Sequence, residues 1–101
     1  MPVNTYSIRF QARDDHELPA DAGDRVRAAL DGMPGTGSVH GAGEDRELRT
    51  VSGEFQVEVD HGIAEAAQVS SRFAKEALKA AGLGDAQLVE LWVSLRTPAP
   101  G

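Results

Sequence analysis

Three histidines and sixteen acidic residues supply most of the reactive chemistry in this 101-residue chain. Two of the histidines stand in acidic company, in Asp14-Asp15-His16-Glu17 and in Asp60-His61. Neutral imidazole is a common ligand for borderline divalent metals, and carboxylates complete such a sphere. Asp14, Asp15, His16, Asp60 and His61 are therefore the candidate metal ligands. A cross-loop pair, His16 with Asp60 or His61 with Asp14, is the candidate general base. Asp60 and His61 cannot form that pair alone, because adjacent side chains diverge in extended backbone. The spacing has none of the specificity of HExxH or of an EF-hand loop. The competing reading is stronger: aspartate before a helix or in a turn accepts hydrogen bonds from orphan backbone N–H groups. No serine or other nucleophile is indicated beside either histidine, so the sequence leans away from an enzyme.

Other reactive classes fall away quickly. The chain has no cysteine, which removes disulfides, thiolate catalysis and cysteine-bound metal. The stretch Gly35-Thr-Gly-Ser-Val-His-Gly-Ala-Gly invites comparison with a phosphate loop. GxGxxG, however, requires glycine where His40 stands, and no helix follows to hold a phosphate at its N-terminus. This stretch reads as a mobile hairpin arm, with His40 an exposed residue on it. The net charge of −6 argues against a phosphate-backbone binder. No apolar run approaches the roughly 20 residues that span a membrane. The first residues lack a charged region followed by an apolar one, so no secretory signal is expected. Eight arginines against two lysines, with abundant alanine and glycine, suit a GC-rich bacterial genome. A soluble cytoplasmic protein is the expectation. The only cofactor that the residues suggest is a divalent metal.

The elements that must position these residues follow from periodicity. Residues 3–12 alternate, with Tyr6, Ile8, Phe10 and Ala12 on one face and Ser7, Arg9 and Gln11 on the other, as in a half-buried strand. Residues 20–31 predict a short helix in which Asp21 and Asp24 resemble a cap and Gly32 and Pro34 mark the end. Residues 36–43 predict a weak edge strand, and Glu44-Asp45-Arg46 a turn. Residues 47–60 predict the longest strand, with Val51, Phe55, Val57 and Val59 inward and Gly53 marking a bulge or the close approach of a helix. Residues 62–81 predict the clearest helix, one arc alanine-rich and the other charged, with Gly82 as its left-handed stop. Residues 87–96 predict a final strand with Val89, Leu91, Val93 and Leu95 inward and Leu88, Glu90, Trp92, Ser94 and Arg96 outward.

This order, βαββαβ, defines an α+β ferredoxin-like sandwich: a four-stranded antiparallel sheet with two helices on one face. It implies one domain over residues 1–97 and a flexible tail over 98–101. We expect the first and third strands to be parallel central neighbours. On that expectation the two Asp/His segments meet at one rim, near both helix N-termini.

The outward sheet face is the second candidate surface. Its central positions are polar or acidic, unlike RNA-binding sheets of this topology, which place stacking aromatics there. Trp92 is the lone tryptophan and falls on this polar side, with Arg9 or Ser7 expected opposite. Trp and Arg are favoured interface anchors. Trp92, Arg9, Leu88 and Glu90 are therefore the candidate interaction residues. The leading expectation is a non-enzymatic module that self-associates, as a homodimer or other homo-oligomer, or binds a partner protein through this face. The alternatives are a small ligand- or metal-binding protein using the Asp/His rim, and an enzyme resembling dimeric α+β barrels with a pocket between sheet and helices.

Overall fold

The computed structural model describes residues 4–96. The expected tail at 98–101 lies outside the described residues. Six elements follow one another: β1 (Asn4–Arg13), α1 (Ala22–Asp31), β2 (Val39–Asp45), β3 (Thr50–Val59), α2 (Ile63–Ala80) and β4 (Gln87–Leu95). The architecture is α+β, one open four-stranded antiparallel sheet and two helices, with strand order β2-β3-β1-β4.

Alternation sorts the central strands as their sequence requires. Tyr6, Ile8, Phe10 and Ala12 of β1 and Val51, Phe55, Val57 and Val59 of β3 are buried. Val26 and Leu30 of α1 and Ala66, Ala74, Ala77 and Leu78 of α2 join the same core cluster. Burying a Val, Leu, Ile or Phe side chain stabilises by about 1.5–3 kcal/mol, so this cluster dominates the folding energy.

Small residues set the spacing of the layers. Gly53 pairs with Phe10 across β1 and β3. A Cβ on Gly53 would lie 2.6 Å from a carbon of the Phe10 ring and 3.0 Å from Leu30 of α1. Gly53 thus marks the close approach of a helix, with the Phe10 ring in the vacated space. Gly23 in the first turn of α1 faces the backbone of Gly43, where an added Cβ would meet it at 3.3 Å. The glycines of β2 let α1 settle against that edge strand.

Helix α2 stops as its sequence predicts. Gly82 has φ +79°, the Leu83 N–H donates to the Leu78 carbonyl at 2.7 Å, and the Gly82 N–H donates to the Lys79 carbonyl at 3.1 Å. That pair of bonds is the Schellman ending, and buried Leu78 and Leu83 provide its usual apolar contact. Helix α1 starts differently from expectation. Asp21 occupies the N-cap but makes no side-chain cap hydrogen bond. Its carboxylate instead pairs with Arg25 at 2.8 Å. The orphan Gly23 N–H is met from a distant strand, by Glu44 of β2 at 3.3 Å.

Two expectations about the sheet are corrected. β2 runs over Val39–Asp45 and not 36–43, so the turn shifts to residues 46–49. More consequentially, β1 and β3 are antiparallel, with Asn4 opposite Val59 and Arg13 opposite Thr50. A hairpin reverses the chain between β2 and β3. Helix α1 carries the chain back across the sheet, so β2 runs parallel to β1, and β3, antiparallel to β2, must oppose β1.

Candidate functional site

The antiparallel register decides the fate of the Asp/His rim. Asp14, Asp15 and His16 follow the end of β1 at Arg13, whereas Asp60 and His61 follow Val59, opposite the start of β1. A ten-residue ladder separates the two groups, a span of roughly 30 Å. The five residues do not converge, and neither cross-loop Asp–His pair forms. Among the described residues, no group of three His, Asp or Glu side chains is disposed to hold a metal ion.

Each half of the expected rim has a local task instead. The Asp14 carboxylate is buried and accepts the His16 backbone N–H at 2.9 Å, an Asx turn that ends β1. The His16 ring nitrogen Nδ1 lies 3.3 Å from the same oxygen. The Asp15 carbonyl accepts a 2.6 Å hydrogen bond from Arg49 in the β2–β3 turn. At the other end, the His61 backbone N–H donates to Glu65 at 3.1 Å, just before α2. These contacts are turn and cap chemistry.

The uncovered sheet face brings together three of the four expected interaction residues. Successive cross-strand rows run Gln56–Ser7–Ser94, Glu54–Arg9–Trp92 and Ser52–Gln11–Glu90. In the middle row the Arg9 guanidinium lies over the Trp92 ring, 4.6 Å from its centroid. Its other side approaches Glu54 at 3.7 Å. A cation over an indole face is attracted by the ring quadrupole, worth about 0.5–1 kcal/mol at an exposed site. Trp92 nevertheless remains 53% exposed. The row therefore presents a carboxylate, a guanidinium and a half-open indole side by side.

Leu88 does not belong to this group. The β1–β4 ladder is irregular at Gln11/Ala12, where Glu90 pairs with Gln11 but Leu88 pairs with Ala12. Val89 is the extra residue. It turns Leu88 toward the helix side, where it packs on the core, and leaves Val89 half exposed. A period-two reading of 87–96 cannot register such a bulge.

A depression of about 360 Å3 opens on this face, bounded by Ser7, Arg9, Glu54, Trp92, Arg96 and His40. His40 was not expected in any site. The β2–β3 pairing is irregular between Val39 and Gly41, and this places His40 beside the row. On the helix side, Phe10, Phe55, Ile8, Leu30 and Leu78 pack between the layers, and a groove of about 760 Å3 opens between the end of α2 and the start of β4, bordered by Lys75, Leu78, Lys79, Ala86, Gln87 and Leu88. Among the described residues, no helix is long and apolar enough to cross a membrane. Comparison with known protein families, with characterised proteins and with solved structures returns no match.

Proposed function

We propose that this protein is a non-enzymatic interaction module that self-associates or binds a partner protein through its open sheet face. The observation that carries the reading is Trp92, half exposed in the middle of a polar face and held in place by Arg9 at 4.6 Å. A large, rigid aromatic with an ordered arginine has the makeup of an interface anchor, because little conformational entropy is lost when a partner covers it. The acidic neighbours Glu54, Glu58 and Glu90 favour a protein surface over a nucleic acid. The strand order β2-β3-β1-β4, with a helix after β1 and after β3, supports reading the fold as a ferredoxin-like sandwich, whose open sheet face is available for association.

Size-exclusion chromatography with light scattering tests the reading when Trp92 emission is recorded on the same samples. We expect a mass above 10.7 kDa and a blue-shifted emission as concentration rises, and we expect the rise in mass to be lost in Trp92→Ala. A strict monomer whose emission stays that of a solvent-exposed indole at every concentration contradicts it.

A further inference from the structure

We infer that the second copy of this chain is recognised by the free edge of β4, through antiparallel pairing of residues 90–96 with themselves about Val93. This deepens the interaction reading above and rests on it, since Trp92 takes part in both.

The first observation is exposure. Among the described residues, five large hydrophobics are strongly exposed, and three of them, Val89 at 52%, Trp92 at 53% and Leu95 at 54%, lie on β4. They are not confined to one face. Trp92 lies on the open side, while Leu95 pairs with Tyr6 of the helix-side core. On the helix side Leu88, Leu91 and Val93 pack against the core, and Leu78 and Lys79 of α2 border a groove with Gln87 and Leu88. Leu95, the last residue of the strand, is left exposed.

The second observation is the edge itself. In the order β2-β3-β1-β4 both outer strands have a free side among the described residues. The β2 edge is interrupted: its pairing is irregular at Val39/Gly41, it holds two glycines, and it ends in Glu44 and Asp45. Such features discourage strand addition. β4 has nine residues, no proline, no lysine and a single charge, Glu90. The Arg96 N–H donates to the Thr5 carbonyl at 2.9 Å, so Arg96 directs its peptide groups at β1. Peptide direction alternates along a strand. Leu91, Val93 and Leu95 therefore direct their N–H and C=O groups outward.

The third observation is self-complementarity. The segment reads Glu90-Leu91-Trp92-Val93-Ser94-Leu95-Arg96. Antiparallel pairing centred on Val93 sets Leu91 against Leu95, which exchange both backbone hydrogen bonds, and Val93 against itself. On the open face it sets Trp92 against the small Ser94 and Glu90 against Arg96, each twice by symmetry. Large meets small and negative meets positive, as favoured cross-strand pairs do. Neither Glu90 nor Arg96 takes part in an ion pair among the described residues. The product is an eight-stranded sheet with an isologous contact and no free β4 edge.

A charge exchange tests this in the full chain by sedimentation equilibrium from about 1 μM to about 1 mM, the range suited to a small interface. Glu90→Arg sets arginine against Arg96, and Arg96→Glu sets glutamate against Glu90. We expect wild type to dimerise and each single variant to dimerise about tenfold more weakly, since two attractive pairs become repulsive. An equimolar mixture of the two variants regains wild-type affinity, because both cross-pairs are then opposite in sign. Circular dichroism confirms that each variant is folded. Gln56→Arg, two strands from the edge, leaves the dimer unchanged. A wild-type monomer at 1 mM overturns the edge pairing. A dimer insensitive to both charge variants but broken by Gln56→Arg also overturns it, while leaving the open-face reading intact.

Discussion

Arg9 lies opposite Trp92 on β4 and opposite Glu54 on β3, with its guanidinium 4.6 Å from the indole centroid. Three strands thereby place a carboxylate, a cation and an aromatic in one line across the uncovered face. The distance to Glu54 is 3.7 Å and both side chains are about half exposed, so solvent screens that pair. The cation–indole contact is the firmer link, because the guanidinium lies over the ring face at 4.6 Å while solvent screens the pair with Glu54.

Removing the guanidinium isolates that link. Arg9→Ala is expected to destabilise by about 0.5–1 kcal/mol, a fall in Tm of a few degrees for a domain this size. The change should also alter the emission of Trp92, the lone tryptophan. Arg9→Lys keeps the charge and recovers only part of the loss, since it lacks the planar group that stacks on the ring. Thermal unfolding followed by Trp92 emission measures both effects. An Arg9→Ala variant with unchanged emission would show that the two side chains do not associate in solution.

Gly53→Ala probes the contact between sheet and first helix. The new methyl group would lie 2.6 Å from Phe10 and 3.0 Å from Leu30. Both neighbours are fully buried in the core. Overpacking of this kind costs about 1–3 kcal/mol. Urea titration should show a lower midpoint with an unchanged slope. Gly53→Ala combined with Phe10→Leu should recover part of the loss.

Ser70 is fully buried in α2, and its hydroxyl finds no hydrogen-bond partner. An unpaired buried hydroxyl costs about 1–3 kcal/mol relative to water. Ser70→Ala removes it without enlarging the side chain and raises helix propensity. The variant is expected to gain about 1 kcal/mol, read as a higher Tm. A loss of 1 kcal/mol or more would mean that the hydroxyl is satisfied in solution.

Glu44 ties the second strand to the first helix. It accepts the Gly23 N–H at 3.3 Å and pairs with Arg46 at 3.1 Å. Arg46 in turn donates to the carbonyls of Leu18 and Pro19 at 3.2 and 2.9 Å. Glu44→Ala is expected to cost about 1 kcal/mol. Hydrogen exchange should report the loss first in the opening turn of α1, and equal exposure throughout the chain would contradict a local cap.

The element order was legible because each long segment has an unmixed period. Tyr6, Ile8 and Phe10 alternate with Ser7 and Arg9, and the alanines of α2 occupy a single arc. Gly82 declared the end of that helix through its own backbone freedom. Strand direction was a different matter. Alternation says nothing about polarity, so the meeting of Asp14 with Asp60 rested on an assumed parallel pairing that the β2–β3 hairpin forbids. The bulge at Val89 was hidden for a related reason. Either Leu88 or Val89 can face inward, and only the pairing of Glu90 with Gln11 and Leu88 with Ala12 decides between them. The Glu44 cap on α1 was hidden because its donor and acceptor are 21 residues apart. Trp92 and Arg9 were found because both lie beyond these irregularities, in the regular part of the ladder.

Association of this protein should cover the Trp92 face. The most direct measurement follows mass by light scattering and Trp92 emission together, from about 1 μM to about 1 mM. We expect the emission maximum to move to shorter wavelength in step with a mass that rises from 10.7 kDa. A mass that stays at 10.7 kDa, with an emission maximum fixed at the solvent-exposed position, would contradict it.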